Sequence, residues 1–261
     1  MLRRIQVWRS PPGQPPWARP ALLAVTALAA LSYCWRTGST IEIYYAAAVR
    51  SMSASWHDFF YGAFDPAGTV TVDKLPGSLW VQALSVRAFG PHVWALLLPQ
   101  AAEGALTVLV LYHAVQRLAG PVAGLMASVV LAASPAAVTL DRGNVPDTLM
   151  ILFLVLAADS VVTAIRAGGW GSIVLTGVWA GLAFQAKMTE AWLVAPALGL
   201  AYLVAGQGHR GTAVPPAGRA GARYRRRLVE LDDRRYPDAA RAAAVRGRKH
   251  RQLCLPAGVR L

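Results

Sequence analysis

Long apolar runs, separated by short turns, dominate the middle of the chain. A helix needs about 20 apolar residues to cross a membrane, and five runs approach that length, at residues 93–115, 121–140, 147–165, 170–186 and 191–205. Residues that end helices lie between them, namely Gly120, Pro121, Gly143, Pro146, Gly168 and Gly169. The pattern therefore predicts an all-α, polytopic membrane protein.

A further apolar run at residues 20–35 precedes these spans and is flanked by Trp17 and Trp35, which suit the membrane interface. The run is shorter than a straight span needs, and a cleaved signal peptide is the competing interpretation. We favour an uncleaved first helix, which brings the number of predicted spans to about six. Residues 1–19 are then a basic, proline-rich arm in the cytoplasm.

Residues 37–75 are too polar to span a membrane and form a first outer loop in this scheme. Within the loop, residues 44–52 have the pattern of a short amphipathic helix. Residues 76–89 are compatible with a helix, but Gln82 and Arg87 interrupt their apolar character. We therefore predict that this last segment lies along the membrane surface rather than across the membrane.

Composition agrees with a membrane protein, because 55% of the residues are hydrophobic and nine are tryptophan. The formal net charge of +13 is concentrated in residues 207–261, which hold 14 Lys and Arg against four acids. Cys34 and Cys254 lie in unlike surroundings and indicate no disulfide framework.

The distribution of charge predicts an orientation. Six spans place Arg117, Arg166 and both basic ends of the chain in the cytoplasm, as the positive-inside rule requires. The same scheme places a set of acids outside: Glu42, Asp58, Asp65, Asp73, Asp141 and Asp147. A seventh span at residues 76–89 would move Arg117 and Arg166 outside, so we favour six spans and a cytoplasmic N-terminus.

Two charged places border apolar runs on the predicted outer side. Asp73 and Lys74 precede the surface helix, where a phosphate head group would lie, and lysine is a normal point-charge partner for phosphate. A solvated loop pair is the simpler alternative for them. Asp147 begins an apolar run, where it suits either a helix N-cap or a general base. Arg142, in the same loop, is compatible with simple snorkelling.

Other polar residues have weaker signals. A salt bridge within a connecting loop is the simplest interpretation of Lys187 and Glu190, and an interfacial aromatic role is the simplest for His57. Glu103 and Asp159 lie inside predicted spans, where acids are rare and are usually paired or functional. The sequence names no partner for either acid.

Motifs for cofactors are absent from the sequence. It contains no zinc-ligand spacing, phosphate-binding glycine loop, dinucleotide fingerprint or nucleophile elbow. We expect no metal site and no cofactor; a divalent cation is compatible with the chain but nothing indicates one. We also expect membrane lipids, and no nucleic acid, as partners.

Residues from about 40 to 205 closely resemble the N-terminal part of the dolichyl-phosphate-mannose protein mannosyltransferase-like family, in its actinobacterial branch. This group also includes the aminoarabinose transferases of lipid A. The matching stretches are YYAAAVRSM (44–52), SWHDFF (55–60), FDPAGTVTVDKLPGSLWVQA (64–83), LLLPQ (96–100), DRGNVPDTL (141–149) and GLAFQAKMTEAWLVAP (181–196). The resemblance is specific to the family, but not to a particular sugar or acceptor.

The resemblance implies a C-type membrane glycosyltransferase fold, a polyprenyl-phosphate sugar donor, and transfer on the extracytoplasmic side to a lipid, glycan or protein acceptor. Asp147 then matches the acid at the start of the helix after the second outer loop. Lys74 matches the lysine of a Lys-Pro-Pro motif near the donor phosphate, although Leu75 replaces the first proline. Lys187 matches the lysine of the third outer loop.

The acid of the family's first outer loop has no clean match, and Glu42 is the nearest candidate. The implied mechanism needs cations at the phosphate, from Lys74, Lys187 or Arg142, and a base for the acceptor hydroxyl, from Asp147 or Glu42. A further set is expected to support the site: Asp73, His57 and Asn144.

Two alternatives from other classes stay open. A transporter or flippase of a lipid-linked substrate would use Glu103 and Asp159 along its path. A non-catalytic relic would keep the fold alone.

Residues 206–261 form an Arg-, Ala-, Gly- and Pro-rich tail whose composition predicts disorder and resembles nothing in the family. The simplest interpretation of this segment is a basic tail that binds anionic lipid or nucleic acid. If the possible codons for residues 244–261 are read one base further forward, they can encode the sequence PYVGGSTGNSAYLLVFG. This sequence resembles a later outer loop of the family. We therefore predict that this tail is an out-of-frame reading and that the chain is truncated.

Overall fold

The computed structural model describes residues 8–11, 13–35 and 41–206. Residues 207–261 of the predicted tail lie outside these residues, and the proposed origin of the tail stays a prediction. The described part is built from ten α-helices and a 3₁₀ helix: α1 (Ala18–Cys34), α2 (Ile43–Ala54), α3 (Trp56–Tyr61), α4 (Gly77–Phe89), α5 (Val93–Ala119), α6 (Pro121–Ala133), α7 (Pro135–Asp141), α8 (Asp147–Ala167), α9 (Trp170–Lys187), the 3₁₀ helix Met188–Leu193, and α10 (Ala195–Gly206). Within this part the β-pairing is a single isolated bridge between Ala63 and Thr71. The predicted all-α class is confirmed.

Helices α5 and α8 are each long and apolar enough to cross a membrane without help. They begin at Val93 and Asp147, where the apolar pattern predicted, and they contain 27 and 21 residues. Gly120 follows α5 with φ +92° and Gly168 follows α8 with φ +74°. Because glycine accepts positive φ without strain, the chain leaves both helices at these residues.

One predicted span contains a break, and the two predicted spans at residues 170–186 and 191–205 form one bent pair. The run at residues 121–140 is divided into α6 and α7, which meet at a 64° bend beside Pro135, and proline cannot donate a hydrogen bond to the turn before it. Helix α9 with its 3₁₀ extension meets α10 at a 72° bend. Counting each bent pair as one span gives up to four in the described residues, and the 17-residue α1 is a shorter apolar helix. The finer count of six stays a prediction.

The long helices pack around α5 and α8. Helix α8 lies against α5, α9 and α10, and α1 lies against α5 and α6. The predicted surface segment is helix α4, which packs on α2, α5 and α9. Its apolar side chains, including Leu79 and Val86, join Tyr45, Val49 and Met52 of α2 in a buried cluster. This packing fixes the first loop on one end of the helices.

A tight turn after α3 returns the first loop towards α4. The Asp65 carboxylate accepts hydrogen bonds from the Thr69 and Val70 backbone N–H groups at 2.9 and 2.8 Å and from the Thr69 hydroxyl. These bonds, the one from Val70 foremost, hold the pKa of Asp65 below its usual value. The turn leads the chain back to Lys74.

Candidate functional site

The start of α8 and the end of α9 meet in an ion-paired group. The Lys187 ammonium lies 2.5 Å from the Asp147 carboxylate and 2.7 Å from the Glu190 carboxylate. The side chains of Lys187 and Asp147 are 13% and 22% exposed, so both are partly shielded from water. We call Asp147, Lys187 and Glu190 the charged cluster. One ammonium group contacts two carboxylates, so the cluster has a formal net charge of −1.

The loop that carries Lys74 is brought to this cluster by close packing of α4 on α9. Gly77 begins α4 and is buried, and a Cβ atom added there would lie 2.6 Å from the Gln185 carbonyl oxygen. Only glycine allows this approach of the two backbones. Gly77 is three residues from Lys74 and Gln185 is two residues from Lys187, so the contact places the two lysines at the same end of the helices.

Lys74 has a hydroxyl rather than a carboxylate as its close partner. Its ammonium donates to the Tyr45 hydroxyl at 2.8 Å. This hydrogen bond raises the pKa of Lys74 above its usual value, and the charge of Asp73 adds to the effect, while burial and the charge of Lys187 oppose it. Among the described residues, no carboxylate lies in hydrogen-bond contact with the Lys74 ammonium to cancel its charge.

Three buried amide side chains fix the loop before α8. Asn144 is fully buried; its Oδ1 accepts from the Glu42 N–H at 2.7 Å and its Nδ2 donates to the Glu42 carbonyl at 3.0 Å. Gln82 of α4 donates to the Asn144 carbonyl at 3.5 Å, and Gln100 of α5 donates to the Val145 carbonyl at 2.8 Å. Asn144, which the sequence predicts as a supporting residue, joins the Glu42 segment to the loop that leads to Asp147.

The remaining predicted site residues lie around this core or away from it. Glu42 is exposed at the start of α2 and meets the Asp147 loop through its backbone. The exposed Asp73 donates its backbone N–H to the Tyr44 hydroxyl at 3.0 Å. Arg142 donates to the Trp35 carbonyl at 2.6 Å, which directs it to the end of α1. The largely exposed His57 contacts its neighbour Asp58 at 3.5 Å and the ring of Tyr61.

Two simple interpretations of the sequence change with the structure. Asp147 is not the N-cap of α8: Pro146 holds that position, Asp147 lies in the first turn, and its carboxylate pairs with Lys187 instead. Asp159, for which the sequence named no partner, lies 2.5 Å from Arg117 of α5. The expected salt bridge between Lys187 and Glu190 is confirmed.

Glu103 differs from the other acids in its surroundings. It is 6% exposed, and neither of its carboxylate oxygens has a hydrogen-bond partner among the described residues. The neighbouring Gly104 lies against the Asp141 carboxylate, whose Oδ2 would be 2.5 Å from an added Cβ atom. The sequence marks Glu103 as an acid inside a predicted span. In the structure it is buried, and its carboxylate has no hydrogen-bond partner among the described residues.

The backbone is strained beside the charged cluster. Met188 has φ +53° and is the non-glycine residue with positive φ in the described part of the chain. Such a conformation costs about 1–3 kcal/mol and often occurs at functional sites. Here it ends α9 directly after Lys187 and turns the chain so that Glu190 folds back onto that lysine.

Several residues of the site were not selected from the sequence. Tyr45 and Glu190 lie inside stretches that match the family, but an isolated tyrosine or loop acid carries no signal of its own. Gln82 and Gln100 did carry one, because amides in apolar helices need buried partners. Their partners lie 62 and 45 positions away, so the sequence alone does not identify them.

No metal-binding group marks this site in the described residues. No group of three or more His, Cys, Asp or Glu side chains there is arranged to hold a metal ion. Three cavities of about 180, 220 and 260 Å³ are lined by residues outside the charged cluster. The cluster lies instead where loops meet at one end of the helices.

Comparison with known proteins assigns the chain to a family. It is 40% identical over 166 residues to the Bacillus subtilis (strain 168) protein named "Putative mannosyltransferase YycA", covering 64% of this chain and 24% of that protein. It is 39% identical over 184 residues to "Putative mannosyltransferase YkcB" of the same organism, covering 70% and 26%. The chain thus spans about a quarter of the length of these relatives. No solved structure gives a significant match.

These relatives come from a Bacillus, so the actinobacterial branch stays a prediction. A family model described as dolichyl-phosphate-mannose-protein mannosyltransferase matches residues 73–217, from Asp73 through the charged cluster and beyond α10. Because this match covers more than half of the chain, the protein belongs to the dolichyl-phosphate-mannose-protein mannosyltransferase family.

Proposed function

We propose that the chain carries the donor-side part of a membrane glycosyltransferase site, which transfers a sugar from a polyprenyl-phosphate donor to an extracytoplasmic acceptor. The observation that carries the proposal is the convergence of Asp147, Lys187 and Lys74, from three separate segments, at one end of the helices. The names of the relatives make mannose the first sugar to test.

The two lysines are suited to different roles in such a reaction. The leaving group is a phosphate monoester, which departs as an anion without a general acid. Lys74 is suited to stabilise that anion, because its ammonium contacts a neutral hydroxyl and keeps its positive charge. Lys187 is occupied by Asp147 and Glu190 and is suited to hold Asp147 in place rather than to bind phosphate by itself.

Asp147 is the proposed base. The acceptor oxygen attacks the anomeric carbon, the bond from that carbon to the phosphate oxygen breaks, and the acceptor proton passes to the carboxylate. Glu42 is the second candidate for this role, since its segment is joined to the Asp147 loop by Asn144. Arg142 would assist from the side of α1, and Asp73 and His57 would lie at the edge of the site.

A transporter of a lipid-linked substrate is the second candidate function, and Glu103 is the observation that favours it. A buried carboxylate without a hydrogen-bond partner in the described residues is typical of ion or proton pathways. Asp159 no longer supports this candidate, because its carboxylate is paired with Arg117.

The test measures covalent transfer. Membranes containing a full-length version of the protein are incubated with radiolabelled polyprenyl-phosphate mannose, and label is counted in acceptors and, separately, in donor moved across sealed vesicles. In a full-length version of the protein, we expect transfer by the wild type and a loss of at least about 100-fold in Asp147→Asn, the scale of a missing general base.

Asp159→Asn is the matched control, because Asp159 lies on the same helix in an ion pair of the same 2.5 Å length. It should retain transfer. Membranes with the full-length wild type that are no more active than membranes lacking the protein would contradict the proposal, and full activity in Asp147→Asn would remove that residue from the mechanism. Movement of donor without transfer would favour the transporter.

A further inference from the structure

We propose that a groove at the other end of the helices binds an anionic phospholipid. The groove has a volume of about 260 Å³ and lies between α1, the C-terminal part of α5 and residues of the N-terminal arm. It is remote from the charged cluster: Arg117, one turn beyond the groove, contacts Asp159 and Thr163 of α8. Asp159 is 12 residues after Asp147, or about 18 Å along the helix axis.

The walls of the groove have the chemistry of a lipid site. Leu22 and Leu23 of α1 face Leu109 of α5 and provide an apolar wall for an acyl chain. Polar groups complete the lining, namely Gln14, Arg19, Tyr112 and His113, and none of the described residues that line it is acidic. A phospholipid has the same two parts, because it joins a phosphate head group to apolar acyl chains.

Arg19 supplies the positive charge. No hydrogen bond or ion pair of its side chain occurs with the described residues, and its backbone N–H is held by the Ser10 hydroxyl at 3.0 Å. Nearby, Arg117 is already paired with Asp159, and His113 Nδ1 accepts a hydrogen bond from the Gln116 side-chain amide at 3.1 Å. Charge complementarity therefore favours an anionic occupant that contacts Arg19.

The N-terminal arm shapes the groove rather than filling it. The Ser10 hydroxyl donates to the Pro16 carbonyl at 3.1 Å, and the Tyr112 hydroxyl lies 3.4 Å from the Gln14 side-chain oxygen. Trp8 and Trp17 on the arm are 70% and 44% exposed. Exposed tryptophans are typical of the membrane interface, where a lipid head group lies. Basic pockets between transmembrane helices on the cytoplasmic side bind anionic lipid head groups.

Native mass spectrometry of the detergent-purified chain tests the site. Dioleoyl phosphatidylglycerol and dioleoyl phosphatidylcholine are added separately, because they share their acyl chains and differ in head-group charge. We expect the first to bind about fivefold more tightly, the scale of one arginine at an anionic lipid, and this preference to weaken in high salt. Dihexanoyl phosphatidylglycerol, with the same head group and short chains, should bind poorly.

Three variants locate the binding. Arg19→Gln should remove the preference for the anionic lipid, and Leu109→Trp, which fills the groove, should reduce binding of both long-chain lipids. Arg50→Gln is the matched control, because Arg50 also lines an apolar cavity, on α2, and it should keep the preference. Equal binding of the two lipids to the wild-type chain, an unchanged preference in Arg19→Gln, or an equal loss in Arg50→Gln would each overturn the proposal. Circular dichroism confirms that the variants are folded.

Discussion

At the scale of single residues, the two lysines of the candidate site differ in how their charge is used. Lys187 has two carboxylates within 2.7 Å, so little of its positive charge is left for a ligand. Lys74 touches the neutral Tyr45 hydroxyl. The sequence treats both as phosphate partners, and the structure favours Lys74 for that role and Lys187 for holding Asp147.

Tyr45→Phe should change the pH dependence of donor use. The hydrogen bond to Tyr45 raises the pKa of Lys74, so its charge is present at neutral pH and is lost only as the pH rises through that raised value. Without the hydroxyl the pKa falls. The donor KM should then begin to increase at a lower pH than in the wild-type chain, measured between about pH 8 and 11, the range around the usual lysine value.

Tyr44→Phe is the control for this experiment. The adjacent Tyr44 hydroxyl accepts from the Asp73 backbone rather than from Lys74, so its loss should leave the alkaline limb unchanged. The same alkaline limb in Tyr45→Phe and the wild-type chain would show that Lys74 does not control donor binding.

At the scale of elements, the site depends on contacts between helices and loops. Asn144→Asp should weaken one of them, because the Nδ2 donor becomes an oxygen that faces the Glu42 carbonyl, although the bond from the Glu42 N–H is kept. Since the side chain is fully buried, we expect a loss of about 1–3 kcal/mol in the free energy of unfolding. Thermal unfolding in detergent measures it.

Gln116→Glu is the control for Asn144→Asp. It makes the same amide-to-acid change on α5 next to His113, in an exposed hydrogen bond. A loss of stability as large as that of Asn144→Asp would show that the effect comes from added negative charge and not from the Glu42 contact.

Gly77→Ala should separate α4 from α9. The new methyl group would lie 2.6 Å from the backbone oxygen of Gln185, which cannot rotate away. Overpacking of this kind costs about 1–3 kcal/mol, and we expect a lower unfolding temperature together with reduced transfer, because Lys74 moves from the charged cluster.

Gly181→Ala gives the comparison on α9, where an added Cβ atom meets nothing within 4 Å. It should be neutral or slightly stabilising, because alanine favours a helix. Equal stability of the two variants would contradict the close approach of α4 and α9.

At the scale of the whole molecule, local signals predicted the helices and missed most of the contacts between them. The residues that border the apolar runs predict where α5 and α8 begin, and both helices begin at those positions in the structure. The bend between α6 and α7 was missed, although Pro135 marks it, because both sides are apolar. The pairs Asp147–Lys187 and Arg117–Asp159 join positions 40 and 42 apart, so they depend on how helices pack and not on any local pattern.

The orientation of the whole molecule is the last prediction. The charge pattern places the end with Lys74 and Asp147 outside and the end with Arg117 in the cytoplasm. Cysteine labelling tests this in a background with Cys34→Ser and Cys254→Ser, since Cys34 is exposed and would react. Asp73→Cys reports one end. Leu118→Cys, 56% exposed, reports the other without breaking the ion pair of Arg117.

On intact cells, a membrane-impermeant maleimide should label position 73 and not position 118. After the membranes are opened, both should react, which controls for access to position 118. The physical reason is that arginines near span ends stay on the cytoplasmic side during insertion, whereas acids contribute little to orientation. Labelling of position 118 alone would reverse the orientation and place the charged cluster in the cytoplasm, where an extracytoplasmic acceptor would not meet Asp147.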